Sequence, residues 1–199
     1  MQIIINNHSF RYEMENISRM FLSAAQIEIK ENINNPEGNY VLTEISDNKI
    51  IVKVSIDSQI VENVQPVKSL NDKDTEWQMA GILYDALSEI SGKTQKWGLL
   101  TGVRPTRLVH RMLDSGKSIL EIRNKFINEY RVSNEKFRLL WQTSSVERNI
   151  IKDSSFRDFS LYISIPFCPS RCNYCSFVSS AVEKMGHIIP EYVSFLAKE

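Results

Sequence analysis

The sequence predicts an α+β domain over residues 1–155, with a small antiparallel sheet and several helices, followed by a second segment over residues 156–199. Two observations predict this class. Apolar-rich runs flank the turn pair Asp47-Asn48, and long segments on both sides repeat apolar residues at helical spacing. The boundary falls near residue 155, because the helical pattern stops there and a strand-like run leads into all three cysteines of the chain.

The first sixty residues predict the sheet. Ile3 to Ile5 indicate a short strand, and an amphipathic helix follows in which the residues at helical spacing are Phe10, Met14, Ile17, Phe21 and Ala24. Three further strands are predicted over residues 26–30, 40–46 and 49–57. The last two predict a β-hairpin, because Asp and Asn suit a tight turn. We expect residues 26–57 to form the antiparallel sheet, with the first helix on one face.

Four helices are predicted after the sheet. Asp72 or Asp74 caps a helix that reaches about Ile90, and Pro105 lies in the first turn of the next, which Gly116 ends. The last two helices are predicted over residues 118–130 and 133–152. In the second segment, residues 159–165 predict a strand and residues 190–199 a helix, so that strand, cysteine loop and helix follow one another.

Charge and hydropathy exclude several partner classes. Lys plus Arg and Asp plus Glu both number 24, so the chain lacks the basic excess of nucleic-acid binders and of proteins that bind anionic membranes. Its apolar runs are far shorter than the roughly 18–20 residues of a membrane span. The N-terminus lacks the pattern of a signal peptide, and we therefore expect a cytoplasmic protein.

The cysteines predict a metal or cluster site. Cys168, Cys172 and Cys175 have the spacing C-x3-C-x2-C, and three closely spaced cysteines make a poor disulfide framework. Three thiolates from one loop can bind three irons of a cubane cluster and leave the fourth iron open. Thiolate suits zinc as well, and a zinc site would need a fourth ligand such as His187.

Two segments carry a resemblance to a known family. The stretch from Tyr162 to Cys168, with Cys175-Ser176-Phe177, resembles the signature of radical S-adenosylmethionine (SAM) enzymes, in the branch of oxygen-independent coproporphyrinogen III oxidases (dehydrogenases). The stretch from Lys96 to Thr106, followed by Leu108-Val109-His110, is similar to the N-terminal domain of the HemZ-type members. Together the two cover about thirty residues closely.

The resemblance implies the cofactors and some of their ligands. Cys168, Cys172 and Cys175 would hold a [4Fe–4S] cluster whose open iron is chelated by SAM, and an electron donor that the sequence does not identify would reduce the cluster. Reductive cleavage of SAM would give a 5′-deoxyadenosyl radical. Tyr162 and Tyr174 match aromatic residues near SAM in the family, although Tyr162 also fits a core aromatic at a strand end.

The resemblance also implies a reaction and a fold. The radical would remove hydrogen from propionate side chains of coproporphyrinogen III, and loss of CO2 and one electron from each of two of them would give protoporphyrinogen IX for haem biosynthesis. Residues 156–199 would be the first βα unit of a truncated radical SAM (β/α) barrel. We therefore expect the chain to be the N-terminal part of a longer oxidoreductase, and to be inactive alone. The reason is that a lone parallel strand would leave its backbone N–H and C=O groups unpaired.

Two departures keep a second function open. Ser164 stands where the best-known branch has histidine, and Phe177 stands where it has a fourth cysteine. Phe177 is shared with the HemZ-type members and with a related haem-chaperone branch. The alternative is a haem-binding or haem-trafficking protein whose N-terminal domain is a binding module.

Basic residues near Pro105 suggest a contact for substrate carboxylates. Arg107 and Arg111 lie one turn apart on the predicted helix, and Arg104 lies just before it. Arginine binds carboxylates through two parallel hydrogen bonds, and coproporphyrinogen carries four carboxylates. The alternative is a solvated helix flank in which these arginines pair with Asp114 and Glu121. We expect His110 to be structural or exposed and not a ligand.

Overall fold

The computed structural model describes all residues except 23–26, 70, 154, 156 and 171. Ala24 and Gln26, predicted at the end of the first helix and the start of a strand, lie outside the described residues. The chain divides into two compact units, Met1–Asp153 and Ser154–Glu199. The first unit is α+β, as predicted, with a five-stranded sheet and several helices.

The sheet of the first unit is mixed, and the prediction of an antiparallel sheet is wrong in this respect. Its strands are β1 (Gln2–Asn6), β2 (Glu28–Glu31), β3 (Tyr40–Ser46), β4 (Lys49–Ile56) and β5 (Gln59–Pro66), in the order β2-β1-β3-β4-β5. β1 pairs in parallel with both β2 and β3. Helix α1 (Arg11–Phe21) accounts for the pairing with β2, because a helical crossover returns the chain in the parallel sense. Residues 32–39 then carry the chain across to β3, which runs in the same direction.

The remaining pairs are antiparallel hairpins. Asp47 and Asn48 both have positive φ, 49° and 59°, which confirms the predicted hairpin between β3 and β4. Asp57 and Ser58 form a second such turn, with φ of 48° and 69°, and lead into β5. β5 was not predicted, and its polar residues suit an exposed edge strand.

Two helices cover one face of the sheet. Helix α2 (Asp72–Ser91) starts at the cap residue Asn71, whose side chain accepts a hydrogen bond from the Lys73 N–H, and ends at Gly92 in the left-handed conformation. The apolar faces of α1 and α2 pack on the sheet in the first core of the unit. Its fully buried members include Ile3, Met14, Val41, Ile50, Val52, Met79, Leu83 and Leu87.

The rest of the unit is helical and has its own core. It contains α3 (Pro105–Asp114), α4 (Ile119–Asn124), a π-helical turn (Lys125–Glu129) and α5 (Asn134–Asp153). Pro105 begins α3 as predicted, and the predicted helix over 118–130 is instead α4 continued by the π-helical turn. The second core is formed by Leu100, Val109, Ile122, Phe126, Val132, Phe137 and Leu140. Among the described residues, no helix combines the length and hydropathy of a membrane span.

The second unit contains two short paired strands and two helices. β6 (Phe167–Cys168) pairs in parallel with β7 (Ser180–Ala181), and α6 (Val182–Met185), a 3-10 turn (Gly186–Ile188) and α7 (Ile189–Lys198) follow. The predicted strand over residues 159–165 is wrong, since these residues form no strand and Phe159, Leu161 and Ile165 are exposed. A strand needs a hydrogen-bonded neighbour, and none pairs with this stretch among the described residues. The predicted C-terminal helix is confirmed.

His8 predicts a loss of stability as the pH falls. The Phe10 N–H donates to Nδ1 of His8 at 3.2 Å, so Nε2 carries the proton and donates to the Thr43 carbonyl oxygen at 3.2 Å. Burial lowers the pKa of His8 below its usual value. The unfolded chain therefore binds more protons, and stability present at neutral pH is lost as the pH falls through about 6.5.

We expect the free energy of unfolding, measured by urea denaturation, to decrease from about pH 7.5 to about pH 5.5. The variant His8→Ala should be less stable at the higher pH and should show a smaller decrease. His187→Ala, at an exposed position in the second unit, is the control and should keep the full decrease. An equal pH dependence in His8→Ala would contradict the assignment.

Candidate functional site

The three cysteines lie on one loop of the second unit, and all three thiols are free. Cys168 ends β6, and the Ser180 N–H donates to the Pro166 carbonyl oxygen at 2.8 Å beside it. The Cys175 N–H donates to the Cys172 carbonyl oxygen at 3.0 Å, which closes a turn with a cysteine at each end. Cys172 is exposed, and Cys168 and Cys175 are half-buried.

The chemistry of these donors fits an iron–sulfur cluster, because three unpaired thiols on one short loop are soft ligands. The turn from Cys172 to Cys175 brings two of the three backbones together. Within the described ranges, however, no three His, Cys, Asp or Glu side chains are arranged as a metal site. His187, the alternative zinc ligand, is exposed in the 3-10 turn.

The two predicted SAM-binding tyrosines are exposed. The side chains of Tyr162 and Tyr174 have exposed fractions of 84% and 90%, so Tyr162 is not a core aromatic in this structure. Tyr192 contacts the segment between these two tyrosines. The hydroxyl of Tyr192, on α7, donates to the Ser164 carbonyl oxygen, and its ring packs edge-on against Phe167 with centroids 5.3 Å apart. Sequence reasoning missed Tyr192, whose partner lies 28 residues away.

The arginines form a free basic surface at the start of α3. Arg104 is the residue before Pro105, and Arg107 is exposed in the first turn. Among the described residues, neither guanidinium forms a side-chain hydrogen bond or a salt bridge. The alternative pairing with Asp114 and Glu121 is wrong, because each of these two acids has other partners.

The partner of Asp114 belongs to a pair of contacts that joins α3 to α5, and the partners of Glu121 lie at the start of α4. Arg148 on α5 donates to Asp114 at 2.8 Å, and Glu121 accepts from Ser118 and Lys117 at the start of α4. His110 lies 3.0 Å from Oε2 of Glu147 on α5, which confirms its structural role. The hydrogen bond with His110 is the main cause that lowers the pKa of Glu147.

The segment Lys96–Thr106 begins with a turn that joins the two cores of the first unit. Leu99 is buried in the core of the sheet, and Leu100 is buried in the helical core. The Leu99 N–H donates to the Tyr130 carbonyl oxygen at 2.8 Å, and the Ser133 N–H donates to the Lys96 carbonyl oxygen at 3.0 Å. This turn therefore ties α2 and the sheet to the chain between the π-helical turn and α5.

Gly98 is required for the close contact between this turn and the backbone of Tyr130 and Arg131. Its φ is +56°, and a Cβ at this position would lie 2.0 Å from the Tyr130 carbonyl oxygen. Backbone atoms cannot move aside as a flexible side chain can. The resemblance identified the segment but not the reason for its glycine, which is a contact with residues more than thirty positions away.

Gln95 also stabilises this turn, and nothing in the sequence indicated that role. The Gln95 side chain donates to the Met20 carbonyl oxygen on α1 at 2.8 Å, and its backbone N–H donates to the Tyr84 hydroxyl on α2 at 2.8 Å. Gln95 therefore links both sheet-covering helices to the turn.

The chain is similar to the oxygen-independent coproporphyrinogen-III oxidase-like protein HemZ of Bacillus subtilis (strain 168), with 36% identity over 110 residues. The match covers 51% of this chain and 21% of HemZ, so the chain matches about a fifth of the relative's length. The predicted relationship to HemZ-like coproporphyrinogen oxidases is thereby confirmed over part of the chain. No family model matches the chain. No solved structure matches it.

The close contact at Gly98 predicts unequal effects for two glycine substitutions. Gly98→Ala should lower the free energy of unfolding by about 3 kcal/mol or more, because it adds a backbone clash to an unfavourable φ. Gly102→Ala has a similar φ of +63° and no atom within 4 Å of the added Cβ, so it should cost only about 1–2 kcal/mol. Urea denaturation of both variants measures the difference, and equal losses would contradict the proposed clash.

Proposed function

We propose that the chain is part of an oxygen-independent coproporphyrinogen III oxidase-like radical SAM enzyme, in which Cys168, Cys172 and Cys175 bind a [4Fe–4S] cluster. The observation that carries the proposal is the loop of three free thiols with the spacing C-x3-C-x2-C. The similarity to HemZ supports an enzyme of the oxidoreductase class and a role in porphyrin metabolism. Free thiols are typical of a reducing compartment, which supports a cytoplasmic location.

Each part of the cysteine loop has a role in this proposal. The three thiolates bind three irons, and the cluster with SAM supplies the one-electron chemistry when both are bound. Tyr162 and Tyr174 are exposed beside the loop and are available to pack against the adenosyl group of SAM. The apolar side chains of residues 159–165 are exposed as well, and we propose that the strands of a barrel cover them.

The proposed substrate is coproporphyrinogen III. In each of two propionate side chains, a hydrogen atom would pass to the 5′-deoxyadenosyl radical, one electron would pass to an electron acceptor and CO2 would leave. Each side chain would thereby become a vinyl group, which gives protoporphyrinogen IX. Arg104 and Arg107 support recognition of the carboxylates, because their guanidinium groups have no side-chain partner among the described residues and are exposed. An electron donor must reduce the cluster, and the described residues do not indicate which.

The cysteine assignment predicts the iron content of the chain. After anaerobic reconstitution with iron and sulfide, the 199-residue chain should bind about four irons and absorb broadly in the visible range. Replacing any one of Cys168, Cys172 and Cys175 with serine should remove most of this iron, because each thiolate binds one iron corner. Ser176→Ala changes a neighbouring residue of the same loop and is the control.

Iron retained by all three cysteine variants would contradict the assignment. If the variants lose iron as expected, the porphyrin products of the full-length protein then decide between the two functions. Formation of protoporphyrinogen supports the oxidase. Transfer of haem without decarboxylation supports the haem-trafficking alternative, which Phe177 keeps open.

The arginine assignment predicts weaker binding of the substrate. In the full-length protein, Arg104→Ala combined with Arg107→Ala should weaken binding of coproporphyrin III by at least about tenfold, measured by fluorescence titration. The reason is the loss of charge-assisted hydrogen bonds to its carboxylates. Arg138→Ala, an exposed arginine on α5, is the matched control. Unchanged binding in the double variant would show that the two arginines do not contact the substrate.

A further inference from the structure

A cavity of about 610 Å³ opens in the first unit between α2, the chain that follows β5 and the π-helical turn. This volume is in the range of small-molecule sites. The cysteines and Arg104 and Arg107 do not line the cavity, so it is separate from the function proposed above.

Three locally unfavourable backbone features meet at the wall of this cavity. Gly81 lies inside α2, where glycine is less favourable than alanine. A Cβ at this position would meet Nη2 and Cζ of Arg131 at ordinary distances of 3.6 and 3.9 Å, so packing does not demand a glycine here. The π-helical turn Lys125–Glu129 is a rare form that occurs often at functional sites. Arg131 itself has a φ of +59°.

The Arg131 side chain is fixed at the cavity wall. Its Nε and Nη2 donate to the two carboxylate oxygens of Asp85 at 2.9 and 2.6 Å, and its Nη1 donates to the Asn128 and Glu129 carbonyl oxygens. These contacts fix the position of the guanidinium group at the cavity wall.

The charges of the cavity leave two ammonium groups available. Asp85 is engaged by Arg131, and Glu129 is engaged by Lys125 at 2.7 Å. Lys68 and Lys73 also line the cavity, and within the described part of the chain neither ammonium group forms a salt bridge or a side-chain hydrogen bond.

Two carboxyl groups near these lysines offset their charge only in part. Asp74 lines the cavity and accepts a hydrogen bond from the Ser69 hydroxyl at 3.1 Å. Glu76 interacts electrostatically with Lys73, but its pKa is raised, chiefly by burial and then by Glu13. The cavity therefore favours anions.

Aromatic side chains form another part of the wall. The rings of Trp77 and Tyr130 lie 5.0 Å apart at an angle of 45°, and both line the cavity. We propose that the cavity binds a small planar anion, a ring system that carries phosphate or carboxylate groups. The charged groups contact Lys68 and Lys73, and the ring packs against Trp77 and Tyr130.

Isothermal titration calorimetry of the full chain tests this proposal without iron, so its outcome is independent of the cysteine loop. The probes are AMP for a phosphate on a ring and benzene-1,3,5-tricarboxylate for carboxylates on a ring, with adenosine as the uncharged probe. We expect at least one anionic probe to bind and adenosine to bind at least about tenfold more weakly. The probe that binds identifies the anionic group.

Two variants locate the binding in the cavity. Lys68→Gln combined with Lys73→Gln should weaken binding at least about tenfold and leave the urea unfolding midpoint unchanged, whereas the exposed Lys93→Gln should change neither. Gly81→Met should also block binding by filling the cavity. No binding of either anionic probe, or equal binding by the double lysine variant, would overturn the proposal.

Discussion

The close contact between Gly98 and the backbone of Tyr130 and Arg131 is the constraint on which the first unit depends. The turn at residues 95–100 supplies one leucine to each of the two cores, and it can do so only if the backbones approach to a distance that excludes any side chain. The same contact fixes the chain that follows the π-helical turn, and hence one wall of the large cavity. A sheet with two helices and a separate group of helices thus become one unit.

This constraint changes the interpretation of the segment that resembles the HemZ-type N-terminal domain. Its first half, with Gly98, Leu99 and Leu100, is buried and serves the fold. Its second half, with Arg104 and Arg107, is exposed and carries charge that no described residue neutralises. Only the second half is therefore suited to contact a substrate. Substitutions in the first half should change the stability of the chain, and substitutions in the second half should change binding.

Local signals predicted much of the fold, and contacts between distant residues account for the rest. The hairpin at Asp47-Asn48 and the start of α3 at Pro105 depend on neighbouring residues, and both were predicted. The parallel pairing of β1 depends on where α1 returns the chain, and β5 depends on its neighbour more than on its own polar sequence. The run over residues 159–165 has strand composition but no partner among the described residues, and composition alone cannot supply one.

The sequence also predicted the cysteine site only in part. Their spacing indicated soft-metal chemistry, and the structure adds that the thiols are free, but neither selects the metal. X-ray absorption of the anaerobically purified chain at the iron and zinc edges identifies the metal that the cysteines bind. We expect iron surrounded by sulfur and no stoichiometric zinc. Zinc bound at about 2.3 Å to thiolates, with no iron, would contradict it.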